Sequence, residues 1–407
     1  MQHRSNSPND SDDGWGCLNA FCLPPLDLAP PMSLRSLFLV QSEGRGHMTQ
    51  ALALRRLLQD AGHQVVHVVM GHRRDRPAPR FFAEKIDAPI THIKTPNFVS
   101  DANQRSVRPW KTLIREVARI PVFLRSLRTI DRLVKAYQPD VIVNFFEPTG
   151  GVYGLWRGGQ IPIVCVAHQY MFHHPAYRFP PDRWMPGWAA RTFAHLTALG
   201  ATRKVALSLY PAPDRLHEGI VVLPPLLRKP VFDLPLDRTE PFYLVYILNS
   251  GYAEAVLDWH HAHPEVRLHC FWDRPDADPV EAYDHTLTFH QLHDETFLQL
   301  MARCRGLVST AGFESIAEAM YLGKPVQVIP VDGHFEQWCN AFDTVRAGAG
   351  IRSDRFDIGR LQHFVPQYDH DAAAFRAWLH EARHRFVREI EHSAGRPAPS
   401  PSIAVPV

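Results

Sequence analysis

Small, hydroxyl-bearing and acidic residues gather in one segment of the chain, TAGFESIAEAMYLGKPVQVIP (310–330). The stretch LVST (307–310) predicts the end of a strand, the pattern of 314–322 predicts a helix, and PVQVIPV (325–331) predicts the next strand. A strand that runs through Gly312 into a helix N-terminus presents free backbone N–H groups and the positive end of the helix dipole. Such a turn is suited to holding a phosphate group.

A histidine follows a second glycine-containing turn, in QSEGRGHMTQALAL (41–54). Gly44 and Gly46 permit a tight turn after a predicted strand, and His47 then stands at the start of the next helix. Imidazole titrates near neutral pH, so this residue is a candidate general base, with an inert cap or surface histidine as the alternative. A dinucleotide fingerprint would require glycine where Thr49 stands, which disfavours NAD.

Three loops are predicted to converge in the second half of the chain, because each follows an apolar strand pattern: LNSGY (248–252), STAGFES (309–315) and VDGHFEQWCNA (331–341). The first two supply hydroxyls and backbone donors suited to a diphosphate. Ser315 and Glu318 also have the spacing of a helix capping box, so a purely structural role for Glu318 stays open.

Bulk composition is that of an ordinary globular protein, with 407 residues, 45% hydrophobic and 21% charged. This length suggests two or three domains at about 150 residues each. The net charge of +2 gives no reason to expect a nucleic acid partner. The 6 cysteines form no C-x-x-C pair, which indicates a reducing, cytoplasmic location. No apolar run is long enough to span a bilayer and no signal peptide is evident, so we expect a protein that is neither secreted nor integral.

Strand and helix patterns alternate in two series separated by a proline-rich stretch. This rhythm predicts an α/β fold with two Rossmann-like parallel-sheet domains facing a cleft. Met32 opens the first strand pattern and is a suspected start of the functional chain. The expected segments are a disordered extension (1–31), a first domain (32–225), a linker (226–240), a second domain (241–393) and a disordered tail (394–407).

These motifs together resemble those of inverting GT-B glycosyltransferases. The similarity is to the UDP-glycosyltransferases and to the bacterial enzyme that adds N-acetylglucosamine to lipid-linked muramyl peptide, and it covers residues 34–352. In those families a Gly-aromatic-polar-Ser turn contacts the diphosphate, a Glu on the next helical turn takes the ribose hydroxyls, and an acid–Gln pair before Asn-Ala holds the sugar. The resemblance thus implies a nucleotide-sugar donor domain at 241–393 and an acceptor-side domain at 32–225.

The resemblance assigns expected roles to individual residues, with His47 as the catalytic base. The expected donor-binding residues are Ser250, Gly251, Thr310, Gly312, Phe313, Glu314, Ser315, Glu318, Glu336 and Gln337. The expected acceptor-side residues are Gly44, Gly46, Glu147, His168 and Gln169. No cofactor or metal is expected, because neither cleft loop carries a D-x-D motif. Inversion is favoured, because the pair of glutamates separated by seven residues in retaining relatives is missing around Glu314 and Glu318.

Two departures from the family pattern concern the diphosphate turn. Thr310 replaces a common histidine, and Glu314 stands where the UDP-glycosyltransferases commonly have asparagine. A carboxylate beside a diphosphate is repulsive, so we expect Glu314 to point away or to meet a sugar hydroxyl. Two other functions stay open at this point, a nucleotide-sugar 2-epimerase of the same fold and a non-catalytic nucleotide-sugar sensor.

The segment 105–135 carries nine Lys or Arg against Glu116 and Asp131, a net charge of +7, with interspersed apolar residues. This pattern is compatible with peripheral contact to anionic lipid and a lipid-linked acceptor, although a solvated helix face is the more common outcome. HEARH (380–384) matches the H-E-x-x-H zinc pattern. With 24 histidines in the chain, we interpret it as a chance match.

Overall fold

The computed structural model describes residues 33–42, 44–72, 78–95, 120–181, 184–246, 253–272, 274 and 277–395, and from Leu34 onward the chain forms one compact unit. The expected N-terminal extension, the suspected start at Met32 and nearly all of the expected tail lie outside these residues. Of the helices that the structure describes, none combines the length and apolar character needed to cross a bilayer.

The first half of the chain builds a parallel sheet of seven strands, which with its helices we call the N-terminal lobe. Its strand order is β3-β2-β1-β4-β5-β6-β7. The strands are β1 (Arg35–Gln41), β2 (Gln64–His72), β3 (Ile90–Lys94), β4 (Val141–Phe145), β5 (Ile163–Ala167), β6 (Arg203–Leu207) and β7 (Ile220–Leu223).

The second half builds another seven-stranded sheet, the C-terminal lobe, in the order β10-β11-β9-β8-β12-β13-β14. Its strands are β8 (Phe242–Tyr246), β9 (Arg267–Trp272), β10 (Val280–Ala282), β11 (Leu287–Gln291), β12 (Leu307–Ser309), β13 (Val326–Val328) and β14 (Gly350–Arg352). The pairing is parallel except that β10 runs antiparallel to β11. The α/β class and the two Rossmann-like sheets predicted from the sequence are confirmed.

Helices alternate with the strands in both lobes. In the N-terminal lobe they are α1 (Gly46–Asp60), α2 (Arg80–Ile86), α3 (Ile120–Tyr137), α4 (Pro148–Arg157), a 3₁₀ helix (His168–His173) and α5 (Trp184–Thr197), followed by a second 3₁₀ helix (Leu216–Glu218) and, between the lobes, by α6 (Lys229–Phe232). In the C-terminal lobe they are α7 (Ala253–Ala262), α8 (Asp294–Arg303), α9 (Phe313–Tyr321), α10 (Phe335–Arg346), α11 (Ile358–Phe364), a 3₁₀ turn (Val365–Gln367) and α12 (Ala372–Ser393).

The strands are apolar along their length because helices cover both faces of each sheet. In β1, Phe38 and Val40 belong to one hydrophobic cluster, while Leu37 and Leu39 belong to another on the opposite face. Successive side chains of a strand point to opposite faces, so one short strand contributes to two core layers. This is why the pattern of β1 is a continuous apolar run and not an alternating one.

Two regions depart from their sequence predictions. The run IPIVCVAHQ (161–169) predicts a strand that includes His168, but β5 ends at Ala167 and His168 starts a 3₁₀ helix. The stretch expected as a linker is packed, because Leu226, Leu227 and Val231 are buried in the core. The C-terminal helix α12 also contacts both lobes. It packs on α9 of the C-terminal lobe and on α1, β5 and β7 of the N-terminal lobe.

The strand orders place one switch point in each sheet, between β1 and β4 and between β8 and β12. Open α/β sheets bind ligands at the carboxyl ends of strands flanking such a point. The loop after β1 leads into α1, whose first turn carries His47, and the loop after β12 carries Gly312. The two turns singled out by sequence therefore stand at the positions where the topology favours a ligand.

Candidate functional site

His47 lies on the first turn of α1, next to Gly46, which lines the cleft between the lobes. Its side chain is buried, and its ring stacks on Phe146 with centroids 5.4 Å apart. Phe146 follows β4 and adopts a left-handed backbone conformation with φ of 60°, which is uncommon for a non-glycine residue and clusters at functional sites. Burial lowers the pKa of His47 to about 4, partly offset by its contact with Gln50. The imidazole is therefore neutral at physiological pH.

Gln50 connects His47 to the opposite lobe. His47 Nδ1 lies 3.3 Å from Gln50 Oε1, and Gln50 Nε2 donates to Glu314 Oε1 at 2.7 Å. When Glu314 is ionised it only accepts hydrogen bonds, so the amide nitrogen of Gln50 then faces Glu314 and the amide oxygen faces the histidine. This orientation selects the tautomer with a proton on Nδ1 and leaves the lone pair of His47 on Nε2.

Glu314 stands in the first turn of α9 and reaches across to the loop after β1. A Cβ atom added to Gly46 would lie 2.6 Å from Glu314 Oε2, so only glycine permits this close approach without displacing the carboxylate. Burial raises the pKa of Glu314 to about 7, an effect that Glu336 and Glu318 reinforce and that its own backbone N–H and Gln50 oppose. Glu314 does not point away from the cleft.

The N-terminus of α9 faces the same cleft. Gly312 occupies the N-cap position, and among the described residues no side chain caps it. Ser315 Oγ donates to Gly312 O at 3.0 Å and lies 3.2 Å from Ser309 Oγ. The capping box considered for Ser315 and Glu318 is thus not formed.

The turn before α9 is anchored by a side chain of α10. Thr310 is buried, and Ala311 has a left-handed backbone with φ of 57°. Asn340 Nδ2 donates to Ala311 O at 2.9 Å, which ties the turn to α10. Phe313 is buried and points at the N-terminal lobe instead of the helix N-terminus.

Glu318 is almost fully buried and is paired with Arg228. The guanidinium donates through Nε to Oε1 at 2.6 Å and through Nη2 to Oε2 at 2.7 Å. This is a bidentate, charge-assisted pair, the strongest geometry available to these groups. A carboxylate has about four lone-pair sites, so it retains acceptor capacity for further hydroxyl groups.

A second arginine comes from the N-terminal lobe. Arg45 Nη1 lies 3.4 Å from Asp294 Oδ1, and Arg228 Nη1 lies 3.5 Å from the same oxygen. Arg45 also covers the ring of Phe81. Together these groups line a cleft that is partly open to solvent, whose walls include Thr49, Tyr246, Phe271, Phe297, Gly312, Glu314, Ser315 and Glu318.

The acid–glutamine pair divides between two environments. Glu336 is about half exposed, and its Oε1 lies 3.4 Å from His168 Nε2. Desolvation raises the pKa of Glu336, partly countered by the nearby amide of Gln169. Gln337 instead accepts from Val331 N at 2.8 Å and closes the turn before α10.

The residues expected on the acceptor side occupy different places. Glu147 is fully buried, accepts from Thr149 N at 3.1 Å and caps α4, which is a structural position. His168 stacks on Phe313 with centroids 4.4 Å apart, and thus contacts the C-terminal lobe. Gly44 has a φ of 80°, which explains the glycine in that turn. Ser250 and Gly251 lie outside the described residues.

Sequence reasoning missed several residues at the cleft, among them Arg45, Gln50, Phe146, Arg228 and Asp294. A signal existed for Gln50, which is three residues after His47 and therefore on the same helical face. Arg228 gave no local signal, because it stands in a stretch that reads as a linker. As for metals, no group of three or more His, Cys, Asp or Glu side chains within the described ranges gathers closely enough to hold an ion, and this includes HEARH on α12.

A known protein family matches the chain across both lobes. The model of glycosyl transferase family 1 matches residues 34–368. The chain belongs to this family. The glycosyltransferase is 24% identical over 338 residues to an uncharacterized glycosyltransferase from Methanosarcina acetivorans, a match that covers 78% of this chain and 83% of the relative.

Solved glycosyltransferases share the fold. The kitacinnamycin glycotransferase aligns with a TM-score of 0.59 at 18% identity, covering 90% of this chain and 100% of that structure. The calicheamicin glycosyltransferase CalG4 gives 0.59 at 16% identity, covering 91% and 100%. LpCGTa in complex with UDP gives 0.57 at 14% identity, covering 89% and 99%. The predicted GT-B fold of the glycosyltransferase is confirmed.

Proposed function

We propose that this glycosyltransferase transfers a sugar, with inversion, from a UDP-type nucleotide sugar to an acceptor hydroxyl. The observation that carries the proposal is the contact between lobes, in which His47 is joined through Gln50 to Glu314 at the start of α9. A candidate base and a helix N-terminus suited to a diphosphate thus flank one cleft. Inverting transfer needs these two groups, a base for the acceptor and a stabiliser of the departing charge.

His47 is the proposed base. Its ring is neutral at physiological pH, and the bond to Gln50 leaves Nε2 free to take a proton. In the proposed step the acceptor oxygen forms a bond to the anomeric carbon as the bond from that carbon to the diphosphate oxygen breaks. The hydroxyl proton goes to His47 Nε2, and the electron pair of the broken bond leaves with the diphosphate.

The diphosphate would be held by backbone N–H groups at the start of α9, with Arg45 and Arg228 supplying positive charge from the cleft walls. These groups can stabilise the leaving group without a metal, and we propose a metal-independent reaction. Treatment with EDTA is then expected to leave turnover within twofold of that of the untreated protein. Loss of turnover that Mg²⁺ restores would contradict this part of the proposal.

A ribonucleoside, as opposed to a 2′-deoxyribonucleoside, is supported by Glu318, which keeps acceptor capacity for ribose hydroxyls beside Arg228. The LpCGTa structure contains UDP, whereas that of SsfS6, at 15% identity with a TM-score of 0.56, contains thymidine diphosphate. A thermal-shift series with UDP, dTDP, GDP and NAD separates these donors. A ligand at 100 times its Kd stabilises the native state by about 2.7 kcal/mol, so the preferred nucleotide is expected to raise the Tm most.

The base is tested by His47→Ala in UDP-hexose hydrolysis, with water as the acceptor. We expect about a hundredfold slower UDP release and a nearly unchanged Kd for UDP, because the imidazole acts on the acceptor. His217→Ala, at a side chain that is 66% exposed, is the control and should behave as wild type. Full activity of His47→Ala rejects this base. Conversion of the sugar to its epimer without UDP release would favour the epimerase alternative.

A lipid-linked acceptor is favoured by one surface of the N-terminal lobe. Helix α3 exposes a basic row of Arg125, Arg128, Arg132 and Lys135. The neighbouring α4 exposes Leu155 and Trp156 at 61% and 51%, with Arg157 over the tryptophan ring. Basic side chains beside an exposed tryptophan are typical of surfaces that bind anionic membranes. Residues 105–119 of the predicted basic segment lie outside the described part of the chain.

We propose that this basic surface touches an anionic bilayer. Co-sedimentation should then increase with the phosphatidylserine content of vesicles and fall at high salt. Arg128→Glu with Arg132→Glu should abolish it, while Arg352→Glu, at an exposed position in the C-terminal lobe, should leave it unchanged. Binding that ignores lipid charge would refute the membrane contact and leave the transferase proposal intact.

A further inference from the structure

Glu314 places a carboxyl group beside the turn that is proposed to hold the diphosphate. The residue stands in the first turn of α9, its side chain is only partly buried, and it lines the cleft. An ionised carboxylate at this position would repel the diphosphate, and the repulsion would grow as negative charge develops on the leaving group. The same carboxyl in its protonated form is instead a hydrogen-bond donor.

Two contacts with the N-terminal lobe fix the position of this carboxyl group. Gln50 Nε2 donates to Glu314 Oε1 at 2.7 Å, and a Cβ atom added to Gly46 would lie 2.6 Å from Oε2. Gly46 itself lines the cleft. Since Oε1 accepts from the amide, the proton of the neutral acid belongs on Oε2. The bond to Gln50 is thus kept in both protonation states of Glu314.

Among the described residues, the cations at the cleft are engaged by carboxylates other than Glu314. Arg228 donates to both oxygens of Glu318, and Arg228 and Arg45 both lie beside Asp294. Burial raises the pKa of Glu314 to about 7, and the negative charge of a bound diphosphate raises it further. The charged or titratable groups around Glu314 include Arg45, His47, Arg228, Asp294, Glu318 and Glu336.

We propose that Glu314 is the general acid of the transfer, and that its Oε2–H donates to the diphosphate oxygen that leaves the anomeric carbon. The proposal rests on the proposed function. As the bond between the anomeric carbon and that oxygen breaks, its electron pair stays on the oxygen and takes the proton of Glu314. The proton of the acceptor goes to His47. After UDP departs, the Glu314 carboxylate regains a proton from solvent and His47 releases one.

The acidity of this carboxyl suits the leaving group. A terminal phosphate takes up its second proton with a pKa of about 6. A general acid is most effective when its pKa lies near the working pH, and it then contributes about 10²- to 10⁴-fold to the rate. Glu314, with a pKa of about 7, is half protonated at neutral pH before the diphosphate adds its charge. The acid and the oxygen that receives its proton are therefore closely matched.

Proton uptake on UDP binding tests the proposal without turnover. Calorimetric titration with UDP at pH 8, in two buffers of different ionisation enthalpy, gives the number of protons taken up per UDP bound. A group with a pKa of about 7 is mostly ionised at pH 8, so we expect the wild type to take up about 0.4–0.9 proton. UDP itself cannot supply this signal, because contact with arginines lowers the pKa of its phosphate and releases protons.

Three variants assign the proton to one carboxyl. Glu314→Gln should reduce the uptake at pH 8 below about 0.1 proton and bind UDP at least as tightly as the wild type, because the amide is already neutral. Glu336→Gln and Asp343→Asn should keep the uptake of the wild type. These two carboxyls are the matched controls, because burial raises the pKa of each, that of Asp343 to about 7. Loss of the uptake in either control and not in Glu314→Gln would overturn the proposal.

The pH profile of UDP-glucose hydrolysis tests the catalytic step. For the wild type we expect kcat to fall at alkaline pH as Glu314 loses its proton in the complex. Glu314→Gln should be about a hundredfold slower at pH 7 and should lack this alkaline fall. His47→Ala should keep the fall, because it loses the base and not the acid. Glu265→Gln, at an exposed position of the same lobe, should behave as wild type.

The outcomes separate this acid from the proposed function. If the wild type binds UDP without proton uptake, or if Glu314→Gln keeps the kcat of the wild type, Glu314 is not the acid and the transferase proposal stands. If there is no uptake and Glu314→Gln weakens UDP-glucose but not UDP, the carboxylate binds a sugar hydroxyl instead. Failure of the wild type to bind UDP at all would refute the proposed function.

Discussion

Gln50 and Glu314 belong to different lobes, and a 2.7 Å hydrogen bond joins their side chains across the cleft. Gln50 also faces His47 on the same helix, so the tautomer of the histidine depends, through this amide, on Glu314 of the opposite lobe. In this arrangement the candidate base has its tautomer selected only while the lobes are in contact. The position of the lobes and the state of the base are thereby linked by one amide.

Replacement of Gln50 by leucine is expected to slow UDP-hexose hydrolysis about tenfold, because the histidine loses the acceptor that selects its tautomer. The Kd for UDP should stay within twofold, since Gln50 is not on the diphosphate turn. Nitrogen-15 NMR of the histidines should show His47 with its proton on Nδ1 in the wild type and a mixture of tautomers in the variant. Gln59→Leu, at an exposed position on the same helix, serves as the control. If His47 of the wild type carries its proton on Nε2, the proposed selection of its tautomer by Gln50 is refuted.

The sequence predicted the fold and the two turns well because both depend on local patterns. The apolar runs of β1 and β12 and the glycine turns after them are contiguous signals, so turns at His47 and Gly312 could be predicted to follow strands. Arg228 and Gln50 were missed because their partners are 90 and 264 residues away. No local pattern encodes such pairings. His168 was read as the end of a strand, since a 3₁₀ helix of this length leaves no periodic signature.

Glu314 should make stability depend on pH. Its folded pKa of about 7 lies above the ordinary glutamate value of 4.5, so the folded state binds the proton more tightly. The contribution of protonated Glu314 to the free energy of unfolding is therefore fully present below about pH 4.5 and is lost as the pH rises toward 7. Glu314→Gln should remove this dependence and be more stable than wild type at pH 8, by roughly 2–3 kcal/mol. Urea unfolding at pH 5 and pH 8 measures the difference, with exposed Glu84→Gln as control. A difference that does not change with pH would contradict the assignment.

The Arg228–Glu318 pair should be required for stability. Arg228→Met leaves a carboxylate that is 1% exposed without its cation, and breaking a buried pair in this way costs about 3–5 kcal/mol. Adding Glu318→Met should recover much of the loss, because no buried charge remains. The neighbouring Lys229–Asp233 pair is about half exposed, so Lys229→Met should cost less than about 1 kcal/mol. If Arg228→Met and Lys229→Met lose the same free energy of unfolding in urea, the buried pair is no more important for stability than the exposed pair.

Gly46 should be essential for the geometry of the cleft and not for folding. In Gly46→Ala the new methyl group would meet the carboxylate of Glu314, which can move because it is the end of a flexible side chain. We expect a loss of stability below about 1 kcal/mol, since a flexible group yields to overpacking more readily than a core. Moving the carboxylate breaks its bond to Gln50, so UDP-hexose hydrolysis should fall about tenfold, as in Gln50→Leu. The double variant Gly46→Ala, Glu314→Ala decides the cause. If the contact between the methyl group and the carboxylate is responsible, the double variant hydrolyses UDP-hexose no more slowly than Glu314→Ala alone, because the methyl group no longer meets a carboxylate. Additive losses would mean that Gly46 acts on the turn itself.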